Sequence, residues 1–386
     1  MRKSITFIVT KDCQLACKYC YLVGKNNKEK MTWETAKKAI DYILDNETEF
    51  PEDGVVWDFI GGEPLLEVEL IDKICDYIKI ELYRRNHHWF NNYQFSLTTN
   101  GLNYANDKVQ KFIAKNNKHL YIGLTIDGTQ KKHDLNRVYK FSGNGSYEDV
   151  VKNIPLWLQQ ISGAATKVTI SSDDIPYICE SVLHIYSLGI KEIHINVVFE
   201  KVWKEGDEKL FEEQLLSLAD AIIDNDLYRE YSCSFFDETI GKPLDPIKRN
   251  NNWCGAGRML SIDAAGNFYP CTRFAQYSLR DKKAIIIGNI NDGIDKNKLR
   301  PFLTLNRCVQ SKKECIECEI ASGCAWCQGE NYDSADTSTI YQRSTAICKM
   351  HKARVRANNY YWNKLYRKLE VQGAEKNIKK PLDFNC

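Results

Sequence analysis

The stretch that decides the fold is KDCQLACKYCYL, residues 11–22, in which Cys13, Cys17 and Cys20 stand with three and then two residues between them. It directly follows SITFIVT (4–10), a run of β-branched and aromatic residues with the composition of a strand. Thiolates select soft metals, either zinc or iron–sulfur clusters. A structural zinc ion takes four ligands, and no other cysteine or histidine lies near these three. A cubane cluster held by three cysteines leaves one iron open for a small chelating molecule. The plainer alternatives are a zinc site completed from far along the chain and a fortuitous triplet.

Strand-like runs recur at GVVWDFI (54–60), YQFSLTT (93–99), LYIGLTI (120–126), KVTISS (167–172) and EIHINVVF (192–199). Segments of helical period separate them. In TWETAKKAIDYILDNE (32–47), Thr32 is the expected N-cap, and Ala36, Ala39, Ile40, Ile43 and Leu44 share one face. EVELIDKICDYIKIELYRR (67–85) and DEKLFEEQLLSLADAIIDN (207–225) read the same way. This alternation predicts an α/β fold with parallel strands and right-handed crossovers. An incomplete (β/α) barrel and an open doubly wound sheet both fit. Each gathers its chemistry at the carboxyl ends of the strands. The cysteine triplet, GGEPL (61–65), NGL (100–102) and DGT (127–129) follow the first four strands in turn.

The bulk properties narrow the class. The chain has 386 residues and a formal net charge of +2, which gives no reason to expect nucleic acid or an acidic membrane as partner. No apolar run approaches the roughly 20 residues of a membrane helix. MRKSITFIVTKD lacks the apolar core and small-residue site of a signal peptide, so a cytoplasmic location is expected. In a reducing compartment 15 cysteines do not form a disulfide framework. Three stand in the triplet and eight between Cys254 and Cys348. Cys75, Cys179, Cys233 and Cys386 are scattered and read as small buried hydrophobes.

Cys13, Cys17 and Cys20, with Tyr19 just before the last, resemble the signature of radical S-adenosylmethionine (SAM) enzymes. Gly61, Gly62, Glu63 and Pro64 look like the family segment that contacts the methionyl amino group. TTNG (98–101, with Thr99 and Asn100) and LTIDG (124–128, with Thr125 and Asp127) are similar to its ribose-binding segments, and Thr125 stands where a serine is common. Arg137 sits where relatives place a basic residue for the cofactor carboxylate. The resemblance implies a partial (β/α)6 barrel over residues 1–235 and a 4Fe–4S cluster whose open iron chelates SAM. It also implies a 5'-deoxyadenosyl radical that abstracts hydrogen from the substrate, with flavodoxin or ferredoxin as electron donor.

The second cysteine group is WCGAGRMLSIDAAGNFYPC (253–271), CIECEIASGCAWC (315–327) and Cys348. By spacing alone it could bind zinc, although five residues between the pairs is short for a zinc ribbon. It resembles a SPASM domain, a small cysteine-rich extension expected over 236–350, which carries two auxiliary 4Fe–4S clusters and makes three in all. The resemblance assigns Cys315, Cys318, Cys324 and Cys348 to the outer cluster, and Cys254, Cys271 and Cys327 to the inner one. Cys327 departs from the pattern by one residue, and Cys308 is a candidate fourth inner ligand. An open inner iron would bind a substrate thiolate.

SPASM enzymes act mostly on peptides and proteins. In the anaerobic sulfatase-maturing branch an aspartate base follows the YPC cysteine, whereas Thr272 stands there in this chain. The three-ligand inner set instead resembles thioether-forming maturases of peptides with repeated Cys-x-x-x units. The expected substrate is a ribosomally made cysteine-containing peptide. Formylglycine formation, carbon–carbon cross-linking and epimerisation are the alternatives. Glu63, Asp127 and His133 are acid–base candidates without rank, and His133 is more often structural. The basic helix KMHKARVRANNYYWNKLYRKLE (349–370), in a terminal segment over 351–386, is either a solvated face or a peptide-binding surface. A leader peptide would be read by that helix, by a separate protein, or not at all.

Overall fold

The computed structural model describes residues 2–245 and 254–371. Two compact units make up the chain: residues 1–125, 137–162 and 252–305 in the first, and 126–136, 163–251 and 306–386 in the second. Six strands fall where the sequence expects them: β1 (Arg2–Thr10), β2 (Gly54–Gly61), β3 (Tyr93–Thr99), β4 (Leu120–Leu124), β5 (Ala165–Ile170) and β6 (Glu192–Val197). Short strands follow as β7 (Ser232–Cys233), β8 (Leu260–Ile262), β9 (Asn267–Tyr269), β10 (Gly288–Asn289) and β11 (Gly293–Ile294). The longer helices are α1 (Trp33–Asp45), α2 (Val68–Arg84), α3 (Asp107–Asn116), α4 (Ile178–Ser187), α5 (Asp207–Asp224) and α6 (Cys348–Val371). None of the described helices is long and apolar enough to cross a membrane.

In the first unit β1 to β4 pair in parallel and in sequence order. β8 lies parallel against the other side of β1, and β9, β10 and β11 continue from it antiparallel. In the second unit β5, β6 and β7 are parallel. This is an α/β fold with the parallel sheet typical of a (β/α) barrel, as the sequence predicts.

Alternation along the strands sorts the two faces of the first unit's sheet. Phe7 stacks on Trp57 and Phe59 at 6.0 Å each, Phe59 meets Phe95 at 6.3 Å, and Trp57 meets Trp89 edge-on at 6.0 Å. All five rings are fully buried. Helix α1 buries the face named from its period, and the Thr32 hydroxyl accepts the Thr35 N–H at 3.1 Å as the N-cap. The opposite face carries Thr6, Ile8, Asp58, Ile60 and Ser96. There Ile8 and Ile60 pack with Leu22, Tyr269, Tyr277 and Cys20. The cysteine loop therefore sits on the face turned away from the aromatic layer.

In the second unit α6 packs one face and leaves Lys349, Lys352 and Arg367 exposed on the other. Val355, Tyr361 and Leu365 are buried. Arg356 grips both oxygens of Glu212, Lys364 bridges Asp220 and Asp224 at 2.7 and 2.8 Å, and Lys368 meets Asp226 at 2.9 Å. The acids of α5 and the turn after it match three of the seven Lys and Arg side chains of α6. Each such pair contributes at most about 1 kcal/mol. Among the scattered cysteines, Cys75 and Cys233 are buried and Cys179 is half-buried, while Cys386 lies outside the described residues.

The aromatic layer sets the cost of unfolding the first unit. Phe59→Ala is expected to lose about 3–5 kcal/mol, and Thr32→Ala, which removes only a cap, about 1 kcal/mol. Urea unfolding followed by tryptophan fluorescence should reproduce that order.

Candidate active site

The cysteine loop is held from two sides within the first unit. On one side the Gly62 N–H donates to the Thr10 carbonyl at 3.0 Å and the Glu63 N–H to the Asp12 carbonyl at 2.9 Å. The approach is so close that a Cβ on Gly61 would stand 2.3 Å from the Thr10 oxygen, and one on Gly62 2.2 Å from the Asp12 oxygen. On the other side the Ala16 N–H donates to Val138 at 2.8 Å and the Lys140 N–H to Gln14 at 2.9 Å. The Lys140 ammonium pairs with Asp12, and that hydrogen bond is the main reason the Asp12 carboxyl is held below its ordinary range. Asp12 in turn accepts the Cys13 N–H at 2.9 Å.

None of Cys13, Cys17 and Cys20 on this pinned loop forms a disulfide. Cys13 is 4% exposed, and its sulfur accepts the Leu15 N–H at 3.3 Å. Burial, with Glu63 nearby, pushes the Cys13 thiol up to about 11. A thiol so placed ionises readily only beside a bound cation. No three cysteine sulfurs among the described residues come within 4.8 Å of one another. Four sulfurs on one zinc ion at ~2.3 Å would need to lie closer than that. Three thiolates on one loop are the donor chemistry of a soft metal centre.

Glu63 ties this loop to the next one. Its carboxylate accepts the Leu65 N–H at 3.0 Å, the Thr99 hydroxyl at 2.8 Å and the Asn100 N–H at 2.7 Å. Burial raises its pKa, against the pull of those donors and of Arg137. Pro64 opens the short helix Pro64–Glu67. The Asn100 amide reaches Gln14 at 3.1 Å and stands 3.9 Å from the Cys13 sulfur. Thr125 joins through its N–H, which donates to the Thr99 carbonyl at 3.0 Å. Arg137 donates to the Tyr19 hydroxyl at 3.0 Å, so these two predicted residues meet. The first unit thus gathers Cys13, Cys17, Tyr19, Cys20, Gly61 to Pro64, Thr99, Asn100, Thr125 and Arg137. Asp127 belongs to the second unit, where its buried carboxylate accepts the Thr169 N–H at 3.3 Å. Its own N–H donates to His133 Nδ1 at 3.3 Å, and that buried histidine has a structural task.

The second cysteine group is shared between the units. In the first, β8 and β9 form a hairpin whose turn needs Gly266 at φ +83°, and the Gly257 N–H donates to Pro270 at 3.0 Å. That bond ties the segment after Cys254 to the residue before Cys271. Tyr21, next to Cys20, lies with the Arg273 guanidinium 4.8 Å from its ring, and feels the charges of Cys20, Cys271 and Asp58. The triplet and the YPC cysteine therefore border one region. In the second unit Arg343 reaches the Cys324 sulfur at 3.1 Å. Burial raises the Cys324 thiol, Arg343 and Arg307 oppose it, and Cys348 and Cys318 reinforce it. Arg307 also feels Cys315. Cys308 lies in the short helix Arg307–Gln310, and Cys327 precedes Gln328–Asp333.

Residues 7–170 match the radical SAM superfamily model. The chain carries a radical SAM domain. It is similar to an uncharacterized protein of Methanocaldococcus jannaschii, with 28% identity over 77% of this chain and 91% of the other. The radical SAM cyclopropyl synthase TigE of Paramaledivibacter caminithermalis is 21% identical over 84% of this chain and 67% of its own. A serine-type anaerobic sulfatase-maturating enzyme of Bacteroides thetaiotaomicron is 23% identical over 81% and 78%. Native anSMEcpe with bound AdoMet shares the fold, with a TM-score of 0.70, 20% identity and coverage of 96% and 99%. Streptococcus suis SuiB bound to precursor peptide SuiA follows at a TM-score of 0.58, 15% identity and coverage of 90% and 76%. The radical SAM family implies a 4Fe–4S cluster and SAM, and the pinned thiols fit them.

Sequence patterning does not single out Asp58, whose signal is a lone carboxylate inside the otherwise apolar VVWDFI. Burial raises its pKa to about 6, against hydrogen bonds from Ser96 and Thr6. A raised carboxyl binds its proton more tightly when folded. Its stabilising share is whole below the ordinary 3.8 and is lost as pH rises through about 6. Asp58→Asn is therefore expected to stabilise the fold by about 1–3 kcal/mol at pH 8, and by less at pH 5, in paired urea titrations. Glu63→Gln turns an amide toward the Asn100 N–H. It should lose about 1–3 kcal/mol in the same assay and weaken SAM binding in equilibrium dialysis.

Proposed function

We propose that this chain is a radical SAM peptide maturase that forms sulfur-to-carbon thioether links in a ribosomally made, cysteine-containing peptide. The observation that carries this reading is the region bordered by Cys20, Tyr21, Arg273 and Cys271, where one cysteine of the second group adjoins the triplet. Cys13, Cys17 and Cys20 would hold the SAM-binding cluster. Gly61 to Pro64, Thr99, Asn100, Thr125, Asp127 and Arg137 would hold SAM. Cys254, Cys271, Cys315, Cys318, Cys324, Cys327 and Cys348 would hold two auxiliary clusters. Bound together, these groups supply an acceptor for one hydrogen atom and one electron. Joining S–H to C–H removes two hydrogens from the peptide. One leaves as that atom, and the other leaves as a proton that the chain must accept.

The named relatives keep other outcomes in view. A cyclopropyl synthase and a sulfatase-maturating enzyme both match over most of the chain. Thr272 after Cys271 offers a hydroxyl and no carboxylate, which favours sulfur chemistry over formylglycine formation. A cytoplasmic location and flavodoxin or ferredoxin as electron donor complete the proposal. A leader peptide would be read by the exposed cations of α6, by a separate protein, or not at all.

Anaerobically purified protein should be brown and hold about a dozen irons; near-stoichiometric zinc with little iron would overturn the reading. Changing Cys13, Cys17 and Cys20 together to alanine should abolish 5'-deoxyadenosine release. With a synthetic Cys-x-x-x repeat peptide, turnover should remove two hydrogens per linkage and protect the linked cysteines from alkylation. Cysteines that remain alkylatable after turnover would exclude thioether formation.

A further inference from the structure

The face of the first unit's sheet that carries the cysteine loop also carries one row of polar side chains. Strand register sets Ser261 beside Thr6, Thr6 beside Asp58, and Asp58 beside Ser96, with Tyr121 next on β4. The hydroxyls of Thr6 and Ser96 donate to Asp58 from either side. Ser261 Oγ lies 3.3 Å from Thr272 Oγ1, so the row of hydroxyls runs on to the residue after Cys271. Two residues along β2, on the same face, Ile60 packs against the group that includes Cys20. That step is roughly 7 Å. Tyr21 and, through it, Arg273 are the titratable and charged neighbours that bear on this carboxyl from the loops above. Asp58 as a residue is half-buried.

An isolated carboxylate on an inward strand position is costly to retain. The aromatic layer on the other face needs nothing from it. A group that takes up a proton near neutral pH is what the linking chemistry lacks. Thr272 cannot supply it.

We propose that Asp58 is the catalytic base of this site, taking the proton of the substrate thiol while Thr6 and Ser96 hold its carboxylate in place. The step is a proton transfer alone: the S–H bond breaks, its electron pair stays on sulfur, and Asp58 becomes the carboxylic acid. The electron released when sulfur later bonds to carbon goes to the acceptor named under the proposed function. This assignment rests on the thioether reading for its substrate, and the raised pKa of Asp58 supports it.

The test compares wild type, Asp58→Asn and Asp58→Glu as anaerobically reconstituted holoenzymes with a synthetic Cys-x-x-x repeat peptide. Thioether formed per 5'-deoxyadenosine released should fall on the order of 100-fold in Asp58→Asn and recover at least in part in Asp58→Glu. In wild type that ratio should rise as pH passes through about 6, and the rise should vanish in Asp58→Asn. Infrared difference spectra should show a protonated carboxyl that titrates near pH 6 in wild type and is missing from Asp58→Asn. An unchanged ratio in Asp58→Asn with full iron content overturns the role. Should wild type make a different peptide product, the thioether reading falls. The base assignment then stands or falls on whether that product shows the same Asp58 dependence.

Discussion

The contact on which the site depends is the parallel touch between residues 10–13 and residues 61–63, made by backbone alone. Two N–H groups of the GGEP turn donate to carbonyls of the cysteine loop, and two glycines let the chains approach to distances that no Cβ would survive. A loop carrying three thiols would otherwise be free to take many conformations, and ordering each residue costs about 1–2 kcal/mol. Pinning it to a strand end shifts that cost from the moment of cluster binding to the folding of the unit. Glu63 then carries the order onward, since the carboxylate that follows the turn also caps the end of β3 through Thr99 and Asn100. The geometry of the thiols, the turn and the β3 loop is thus a single hydrogen-bonded system. Losses within such a system are not additive.

Much of this was legible in the sequence because each signal is local. The strands came from composition, α1 from its period and its Thr32 cap, and the site from motifs that each follow a strand. What escaped depends on register and on partners distant in sequence. Asp58 becomes interesting only when pairing sets it between Thr6 and Ser96. The charge of α6 suggested an exposed surface because its acidic partners lie about 140 positions away on α5. The short strands β8 and β9 belong with the first four strands, although composition draws a boundary near residue 235. Three-residue strands carry too little pattern to announce a partner.

The two cysteine groups differ in the charge set around them. In the first unit Cys13 meets Glu63 and a low-dielectric pocket, which disfavours thiolate until a cation arrives. In the second, Cys324 sits against Arg343, with Arg307 near by. Guanidinium groups beside cluster sulfurs stabilise the more negative, reduced state. On electrostatic grounds a cluster held by the second unit's cysteines, as proposed, would keep an electron more readily than one held by carboxylate-flanked thiols.

Thr272 and Asp58 together show how the same face can change its chemistry while keeping its shape. A hydroxyl after Cys271 meets Ser261, and strand register sets Ser261 beside Thr6 and Thr6 beside the carboxylate on β2. Placing the carboxylate on a strand rather than on the turn beside Cys271 fixes it more rigidly. It also sets the group a pleat step below the residues that pack on Cys20. A base in that position meets a substrate held deep against the sheet. The same side chain on the turn would meet one held at the loops. The depth of the carboxylate, more than its presence, is what would select which bond of a bound peptide gives up its proton.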